Sequence, residues 1–511
     1  MKILFESVFT INQEIKKLIN KEALDSFSNS IYQGDNANYC ISLFHDYLID
    51  PNETNKNFLF YMGKKLINWA EKNLHKGYFK MEDVHHGSEL FLGFLPRYID
   101  LFPENLKAKE LILNVSKLIG NWDKETEDWY NYSLKNFNSW YFGSDGISNK
   151  DHYKFNTADH LRFVHIALLA WNITSDQKYL DWSIDYSKQF AERVIIAKEA
   201  IPVAWNSEWD EFFSKDMINA EEKFLASNHH HFKDDPFSGI ENLIASGFIY
   251  VFGELYNITN DKIFLESSKK IIKNLIPVID HPYSDNVGTI ISYYRDTFSD
   301  YSFDKLVLDS ISNLKPYDDS EIMLTFPQNQ TIKRPGLGNR KDMIYWYFFN
   351  SFNPKEFREP STSYFSLLYN ITGKIEYAER AFRTAAKKIK IASSILRPGF
   401  EHSDSGKHFS SIVSGHGRNW GIGSVTGCYT KLIIGSNENL GKSDYLVKFK
   451  SATITAGCLP LIRNLPDNST ELRIFNFSNK INSIKFSYKN KKDTYKEIQP
   501  NSEVKIIIKQ K

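Results

Sequence analysis

Apolar and polar residues alternate with a helical period over most of the chain. The pattern is clearest in three similar segments, LLAWNITSDQKYLDWSIDYSKQF (168–190), GELYNITNDKIFLESSKKIIKNL (253–275) and LLYNITGKIEYAERAFRTAAKKI (367–389). In each segment an aromatic residue precedes Asn-Ile-Thr, a polar turn follows, and a second helical pattern begins after the turn. Weaker copies span 43–70 and 97–119. The repeat predicts a series of helical hairpins.

The two halves of each repeat differ in polarity. Residues before the turn are largely apolar, which predicts a buried inner helix, and those after it have the amphipathic pattern of an outer helix. We expect the Asn to adopt the left-handed conformation at the helix end, and Thr or Asp to cap the next helix. Such hairpins form solenoids or closed toroids. The spacing between Asn172, Asn257 and Asn370 is irregular, and long aromatic-rich loops intervene, which favours a toroid.

The pattern changes near the C-terminus. The segments TELRIFNFS (470–478), INSIKFSYK (481–489) and SEVKIIIKQ (502–510) alternate with the period of two that is typical of β-strands. Turn-rich stretches separate them. We therefore predict two domains, a helical toroid over residues 1–445 and a small β-sandwich over residues 446–511.

The hairpin signature, Y/W-N-I-T-x-x-x-x-Y/F, resembles that of the (α/α) toroid carbohydrate-active enzymes, the six-hairpin glycosidase and polysaccharide lyase superfamily. The resemblance covers about residues 35–436. It implies a mainly α fold, an incomplete or six-hairpin (α/α) toroid, with a C-terminal antiparallel β-sandwich. It also implies that the substrate cleft lies on the face where the inner helices begin.

The composition of the chain excludes some classes of function. The chain has 63 basic and 62 acidic residues, so its charge predicts neither nucleic-acid nor membrane-surface binding. Aromatic residues make up 15% of the chain, which suits both a large core and stacking on sugars. The three cysteines have no zinc or disulfide spacing. The N-terminus lacks a signal-peptide pattern, so we expect a cytoplasmic protein or one whose export signal is not part of this sequence.

Polar residues gather at four predicted inner-helix starts or in the loops before them. Such positions face the implied cleft, and helix N-termini favour anionic groups such as uronate carboxylates. The candidate catalytic residues are His86, Tyr153, His160, Glu241, His416 and Arg418. The candidate substrate-binding residues are Asn156, Arg162, Trp205, Trp209, His231, Asn242, Asn419 and Trp420.

These residue types suit β-elimination on a uronic acid polymer. A base must remove a weakly acidic proton beside a carboxylate, so the carboxylate charge must be neutralised, and an acid must protonate the leaving oxygen. Metal-independent lyases of the resembled group typically use Asn, His, Tyr and Arg. The stretches YKFNTADHLR (153–162) and GHGRNW (415–420) contain all four types. No recognisable signature of heparinases, chondroitin lyases or alginate lyases occurs in the chain.

Two alternatives remain open. A glycoside hydrolase needs two carboxylic acids, which Glu89, Asp159, Asp210 and Glu241 could supply. A non-catalytic glycan-binding protein would use the tryptophans as stacking platforms and would not need base-like histidines. In each case the expected partner is a poly- or oligosaccharide, anionic for the enzymes.

No cofactor is predicted. The sequence allows a structural calcium ion at Asp234 and Asp235, although no ligand spacing defines a site. The glycine-rich stretch FSSIVSGHGRNWGIGSVTGCYTKLIIG (409–435) lacks the phosphate-loop and dinucleotide patterns. We predict that its second half, from about Gly421, forms the last inner helix and that residues 415–420 form the lip of the cleft.

Overall fold

A computed structural model of the chain gives the fold. The structure describes residues 2–18, 33–49, 52–197, 201–202, 204–212, 243–279, 287–313, 324–326, 332–333, 339–340, 345–347, 362–395, 413, 423, 425–434, 437–439, 442–444, 448–449, 457–487 and 494–509.

Helices make up most of the described chain before residue 435. The first eight are α1 (Lys2–Leu18), α2 (Gln33–Ile49), α3 (Glu53–Asn73), α4 (Val84–Leu92), α5 (Phe94–Leu101), α6 (Leu106–Ile119), α7 (Leu161–Thr174) and α8 (Gln177–Ile196). The others are α9 (Phe248–Thr259), α10 (Lys262–Leu275), α11 (Val287–Thr297), α12 (Asp304–Asp309), α13 (Thr362–Thr372), α14 (Ile375–Ile395) and α15 (Thr426–Cys428). A π-helical turn (Tyr429–Ile434) continues α15. Short 3₁₀ turns span Asp151–Tyr153, Ala158–His160, Ile276–Val278 and Ser310–Asn313.

The inner helices form a closed ring. In order around it, α2, α4, α7, α9, α11, α13 and the α15 segment with its π-helical turn each contact the next, and the π-helical turn contacts α2. The outer layer contains α3, α6, α8, α10 and α14. Each of these helices packs against the inner helix that precedes it or against the next inner helix along the chain. Helix α1 completes the outer layer by packing on α14 and α2. The described helices therefore form an (α/α) toroid, as the repeat predicted.

The hairpin turns differ from the prediction in one respect. The left-handed residue is not the Asn of the repeat but lies three positions later, at Ser175 (φ 59°), Asn260 (φ 54°) and Gly373 (φ 70°). The inner helix extends to this residue because hydrogen bonds of the Thr hydroxyl in the repeat stabilise its last turn. In the first copy the Thr174 hydroxyl donates to Ala170 O at 2.8 Å and accepts from the Asp176 N–H at 3.1 Å.

The other two copies have the same contacts. The Thr259 and Thr372 hydroxyls each donate at 2.7 Å to the carbonyl four residues before them and accept from the N–H two residues after. Asp176 and Asp261 then cap the outer helices, as expected.

Short strands line the loops of the toroid. They are β1 (Glu82–Asp83), β2 (Tyr130–Asn131), β3 (Asn136–Phe137), β4 (Tyr141–Gly143), β5 (Gly146–Ile147), β6 (Asn156–Thr157), β7 (Ala204–Trp205), β8 (Glu211–Phe212), β9 (Leu324–Phe326), β10 (Ile332–Lys333), β11 (Asn339–Arg340), β12 (Tyr345–Tyr347), β13 (Asn437–Asn439) and β14 (Lys442–Asp444). Their antiparallel sheets have the orders β1-β4-β5, β2-β3, β6-β7-β8, β9-β12, β10-β11 and β13-β14.

Two antiparallel sheets lie at the C-terminus. Their strands are β15 (Lys448–Phe449), β16 (Cys458–Asn464), β17 (Ser469–Asn476), β18 (Asn482–Ser487), β19 (Thr494–Ile498) and β20 (Ser502–Lys509), in the orders β15-β18-β19 and β16-β17-β20. Ile462 and Leu472 from one sheet share an apolar core with Ile484 and Ile498 from the other. The two sheets therefore pack face to face. The boundary at residue 445 stays a prediction.

Partly buried polar contacts join these sheets to the helices. Arg295 of α11 donates to Asn464 O at 3.3 Å, and Arg473 of β17 donates to Gly373 O at 3.1 Å in the α13–α14 turn. Among the helices of the described chain, none is long and apolar enough to span a bilayer.

A close backbone contact between two inner helices provides a test of the ring. A Cβ atom added at Gly288 in α11 would lie 2.5 Å from the carbonyl carbon of Ser363 in α13. Because that neighbour is backbone, Gly288→Ala is expected to destabilise the protein by about 1–3 kcal/mol in chemical denaturation. Gly87→Ala in α4 is the matched control, since its added Cβ meets only ordinary contacts at 3.7 Å and beyond. Equal stability of the two variants would contradict this packing.

Candidate functional site

A strand-to-helix junction holds the candidate site. Strand β1 pairs with β4, with Glu82 opposite Phe142 and Asp83 opposite Tyr141, and α4 begins at the next residue. Asp83 is the N-cap of α4, because its Oδ1 accepts from the His86 N–H at 3.0 Å. The junction therefore fixes two carboxylates and a histidine at the start of an inner helix.

The Asp83 and His86 side chains form an ion pair. His86 Nδ1 lies 2.7 Å from Asp83 Oδ2. Burial by itself lowers the pKa of His86, but the charge of Asp83 and this hydrogen bond raise it to about 9. Burial likewise opposes ionisation of Asp83, yet the His86 charge and hydrogen bond hold the pKa of Asp83 well below its usual value. His86 is therefore a cation at neutral pH.

The Glu82 carboxyl group has a pKa near neutrality. Burial raises the pKa of Glu82 to about 7, with smaller contributions from Asp83 and Glu89, and the His86 charge opposes the shift. The Glu82 Oε2 atom is buried and has no hydrogen-bond partner among the residues that the structure describes. A carboxyl group in this state exchanges its proton at the pH where most enzymes work.

A buried network supports the junction from behind. The Glu89 carboxylate in α4 accepts from Asn38 Nδ2 of α2 at 3.1 Å, which joins two inner helices. The Arg162 side chain of α7 is fully buried. Its Nε donates to Ser88 Oγ at 2.8 Å, and its Nη1 donates to His85 Nδ1 and to Ala245 O, each at 3.0 Å. Three neighbouring segments of the ring therefore meet at Arg162.

Two tyrosines flank the acidic residues. The rings of Tyr141 and Tyr153 stack with centroids 4.8 Å apart and an interplanar angle of 17°, and both side chains are partly exposed. Burial, with the nearby charge of Asp83, raises the pKa of Tyr141, so its hydroxyl stays protonated at neutral pH. A series of contacts thus connects the predicted residues Arg162, His86 and Tyr153 through His85, Asp83 and Tyr141.

His160 has a different role from the catalytic one predicted. It is fully buried, its Nδ1 accepts from the Thr157 N–H at 3.0 Å, and its Nε2 lies 3.1 Å from the Ser139 carbonyl oxygen. Burial lowers the pKa of His160 to about 4. Both ring nitrogens are therefore occupied by backbone, and the side chain caps the turn that leads into α7.

Three other side chains predicted to bind substrate are buried and contact other residues of the protein. Asn156 is fully buried, and its Oδ1 accepts from the Phe137 N–H at 2.9 Å. Trp205 is fully buried and packs edge-on against Phe190. Trp209 is 5% exposed and donates to Leu134 O at 2.8 Å. These contacts correct the prediction that the tryptophans are stacking platforms for sugar, because their faces are buried in the aromatic core.

The other predicted residues lie outside the described part of the chain. They are His231, Glu241, Asn242, His416, Arg418, Asn419 and Trp420, together with the possible calcium ligands Asp234 and Asp235. Their roles remain predictions. Within the described part, no three His, Cys, Asp or Glu side chains are grouped as metal ligands.

Sequence reasoning missed Glu82 and Asp83. The stretch EDVHHG (82–87) does contain a signal for Asp83, an N-cap residue three positions before His86 at the predicted helix start. No local signal identifies Glu82. Its raised pKa comes from burial beside β4, which lies about sixty residues later in the chain.

The chain matches no protein-family model and no curated protein. Its structure is similar to that of an unsaturated glucuronyl hydrolase specific for heparin, with 10% sequence identity and a TM-score of 0.41, over 63% of this chain and 85% of that chain. It is also similar to a D-mannose isomerase, with 9% identity and a TM-score of 0.38, over 78% of this chain and 86% of that chain.

The capping role of His160 can be tested by stability. His160→Ala leaves a buried N–H and a buried carbonyl without partners, so we expect a loss of about 2 kcal/mol or more in the free energy of unfolding. Because the pKa of His160 falls from 6.5 to about 4 on folding, its contribution is present above pH 6.5 and is lost as pH falls towards 4. Unfolding curves across this range should therefore be less pH-dependent in the variant.

The exposed His75 supplies the control for that experiment. His75→Ala should keep the wild-type stability and its pH dependence. A His160→Ala protein that is as stable as the His75→Ala protein would show that the cap contributes nothing.

Proposed function

We propose that the protein is a carbohydrate-active enzyme, and specifically a polysaccharide lyase that cleaves a uronic-acid-containing glycan by β-elimination. The observation that carries this proposal is the pairing of a proton-exchanging carboxyl group, Glu82, with a histidine that is cationic at neutral pH, His86, at one inner-helix start. The resemblance of the hairpin repeat to carbohydrate-active toroids supports the proposal as an analogy of fold.

The reaction needs three kinds of group. A base takes the proton from C5, the C4–O bond breaks as its electrons leave with oxygen, and a C4=C5 double bond forms. The C5 proton becomes acidic enough only if a positive group or hydrogen-bond donors stabilise the charge that develops on the neighbouring carboxylate. An acid returns a proton to the departing oxygen.

The junction offers a side chain for each role. Glu82 is the proposed base, because a carboxylate with a pKa of about 7 is more basic than an ordinary one. The His86 cation is the proposed partner of the uronate carboxylate. Tyr153 or its stacking partner Tyr141 is the proposed acid, since a phenol can donate its proton in a transition state.

Hydrolysis is the second candidate, and the pKa of Glu82 favours it as well. A glycosidase general acid has its pKa raised in this way, but a second carboxylate must then act as nucleophile or base. Of the described carboxylates nearby, Asp83 is paired with His86, Glu89 accepts from Asn38, and Asp159 is 1% exposed. These contacts make the second carboxylate harder to supply than the groups for elimination.

The pH profile separates the two roles of Glu82. As a base it must be deprotonated, so kcat/KM for elimination should rise through about pH 7 and fall as His86 loses its charge near pH 9. As a general acid it must be protonated, so the rate of hydrolysis should fall as pH rises through 7. Glu82→Gln should lower kcat/KM by about 100-fold or more in either case.

The exposed Glu110→Gln provides the matched control, because it removes a carboxylate from the outer surface of α6. It should retain wild-type kinetics. A folded Glu82→Gln protein with the activity of this control would refute the proposed role of Glu82.

The products decide the reaction class. Uronate-containing polysaccharides should give an unsaturated product that absorbs in the ultraviolet. New reducing ends without this absorbance would establish hydrolysis and reject the lyase proposal. Tight binding with neither product would replace both enzyme proposals with a glycan-binding function.

A further inference from the structure

The fully buried Arg162 side chain defines the protonation state of its neighbour His85. The guanidinium of Arg162 is always charged and can only donate hydrogen bonds. Its Nη1 lies 3.0 Å from His85 Nδ1. That ring nitrogen must therefore act as the acceptor, and it can do so only when it carries no proton.

The nearby carboxylate does not change this assignment. Asp159 Oδ1 lies 3.7 Å from His85 Nδ1, which exceeds hydrogen-bond distance. A proton on Nδ1 would point at the guanidinium rather than bond to Asp159, and this would bring two donors together at 3.0 Å. The geometry thus excludes both the cationic imidazolium and the tautomer with its proton on Nδ1.

We infer that Arg162 is a positioning residue that holds His85 as a neutral imidazole with its proton on Nε2, rather than a substrate-binding residue as the sequence suggested. Arg162 keeps its own position through Ser88 Oγ and Ala245 O, which belong to α4 and to the segment before α9. The His85 tautomer is therefore tied to the packing of three adjacent parts of the ring.

The charged groups around His85 shift its pKa in both directions. Burial lowers the pKa of His85 well below its usual value, and the positive charges of Arg162 and His86 add to this effect. Glu89 in α4 and Asp83 in β1 oppose it, and Asp159 faces the ring from the turn before α7. Two adjacent histidines, whose ring centroids are 5.4 Å apart, thus have different charge states.

The consequence for the site rests on the proposed function. If a uronate binds at this junction, His86 is the member of this histidine pair that carries a positive charge, and His85 contributes a fixed neutral ring. The protonation state itself needs no substrate, so it can be tested whether or not the lyase proposal holds.

Nitrogen NMR of the full chain labelled with ¹⁵N-histidine tests the inference. His85 should give the signals of a neutral ring protonated on Nε2, and these should not change from pH 5 to pH 8, whereas His86 should be doubly protonated over the same range. His85→Gln and His86→Gln assign the two sets of signals. A His85 ring that is doubly protonated, or protonated on Nδ1, at neutral pH would overturn the inference.

Two substitutions test the part played by Arg162. Arg162→Lys keeps a charged donor and should preserve the His85 tautomer, whereas Arg162→Met removes the donor and should produce a mixture of the two neutral tautomers. Unchanged His85 signals in a folded Arg162→Met protein would mean that burial alone fixes the ring, and Arg162 would then not be a positioning residue. The wild-type spectrum remains decisive if the Met variant does not fold.

Discussion

Closure of the inner-helix ring is the constraint on which the rest of the structure depends. Each inner helix is covered by two neighbours and by an outer helix, so its sides are mainly apolar. Helix α7 illustrates this, since its residues from Leu161 to Ala170 are all buried. Polar side chains that enter this environment must satisfy one another, because burial without partners is costly.

This constraint explains the contrast between Arg162 and Glu82. Arg162 lies within the ring, where its Nε and Nη1 donate to α4 and to Ala245 O, and its role is to hold the neighbours in place. Glu82 lies at the edge of the ring, where β1 meets α4. There burial is sufficient to raise its pKa, and no cation among the described residues bonds to it to restore the usual value. The same packing therefore produces a structural ion in one place and a proton-exchanging group in the other.

The Asp83–His86 pair links capping to electrostatics. Asp83 is required as the N-cap of α4, and its second oxygen is directed at the His86 ring. The helix start thus holds the His86 cation in place through its pair with Asp83, while Glu82 Oε2 has no hydrogen-bond partner among the residues that the structure describes. The capping of α4 by Asp83 therefore influences the protonation of the adjacent Glu82.

The sequence by itself determined the hairpin repeat, the buried and amphipathic helices, the capping of the outer helices and the C-terminal strands, because these follow from local periodicity and local hydrogen bonds. It also identified His86, Tyr153 and Arg162 as members of a polar group at inner-helix starts. Only the tertiary structure decided what each side chain contacts. His160 and Trp205 are residue types that often occur in sugar-binding sites, yet they are buried, His160 against the Ser139 loop and Trp205 against Phe190 of α8. The raised pKa of Glu82 and the tautomer of His85 likewise depend on strands and helices distant in the chain, so no local pattern could reveal them.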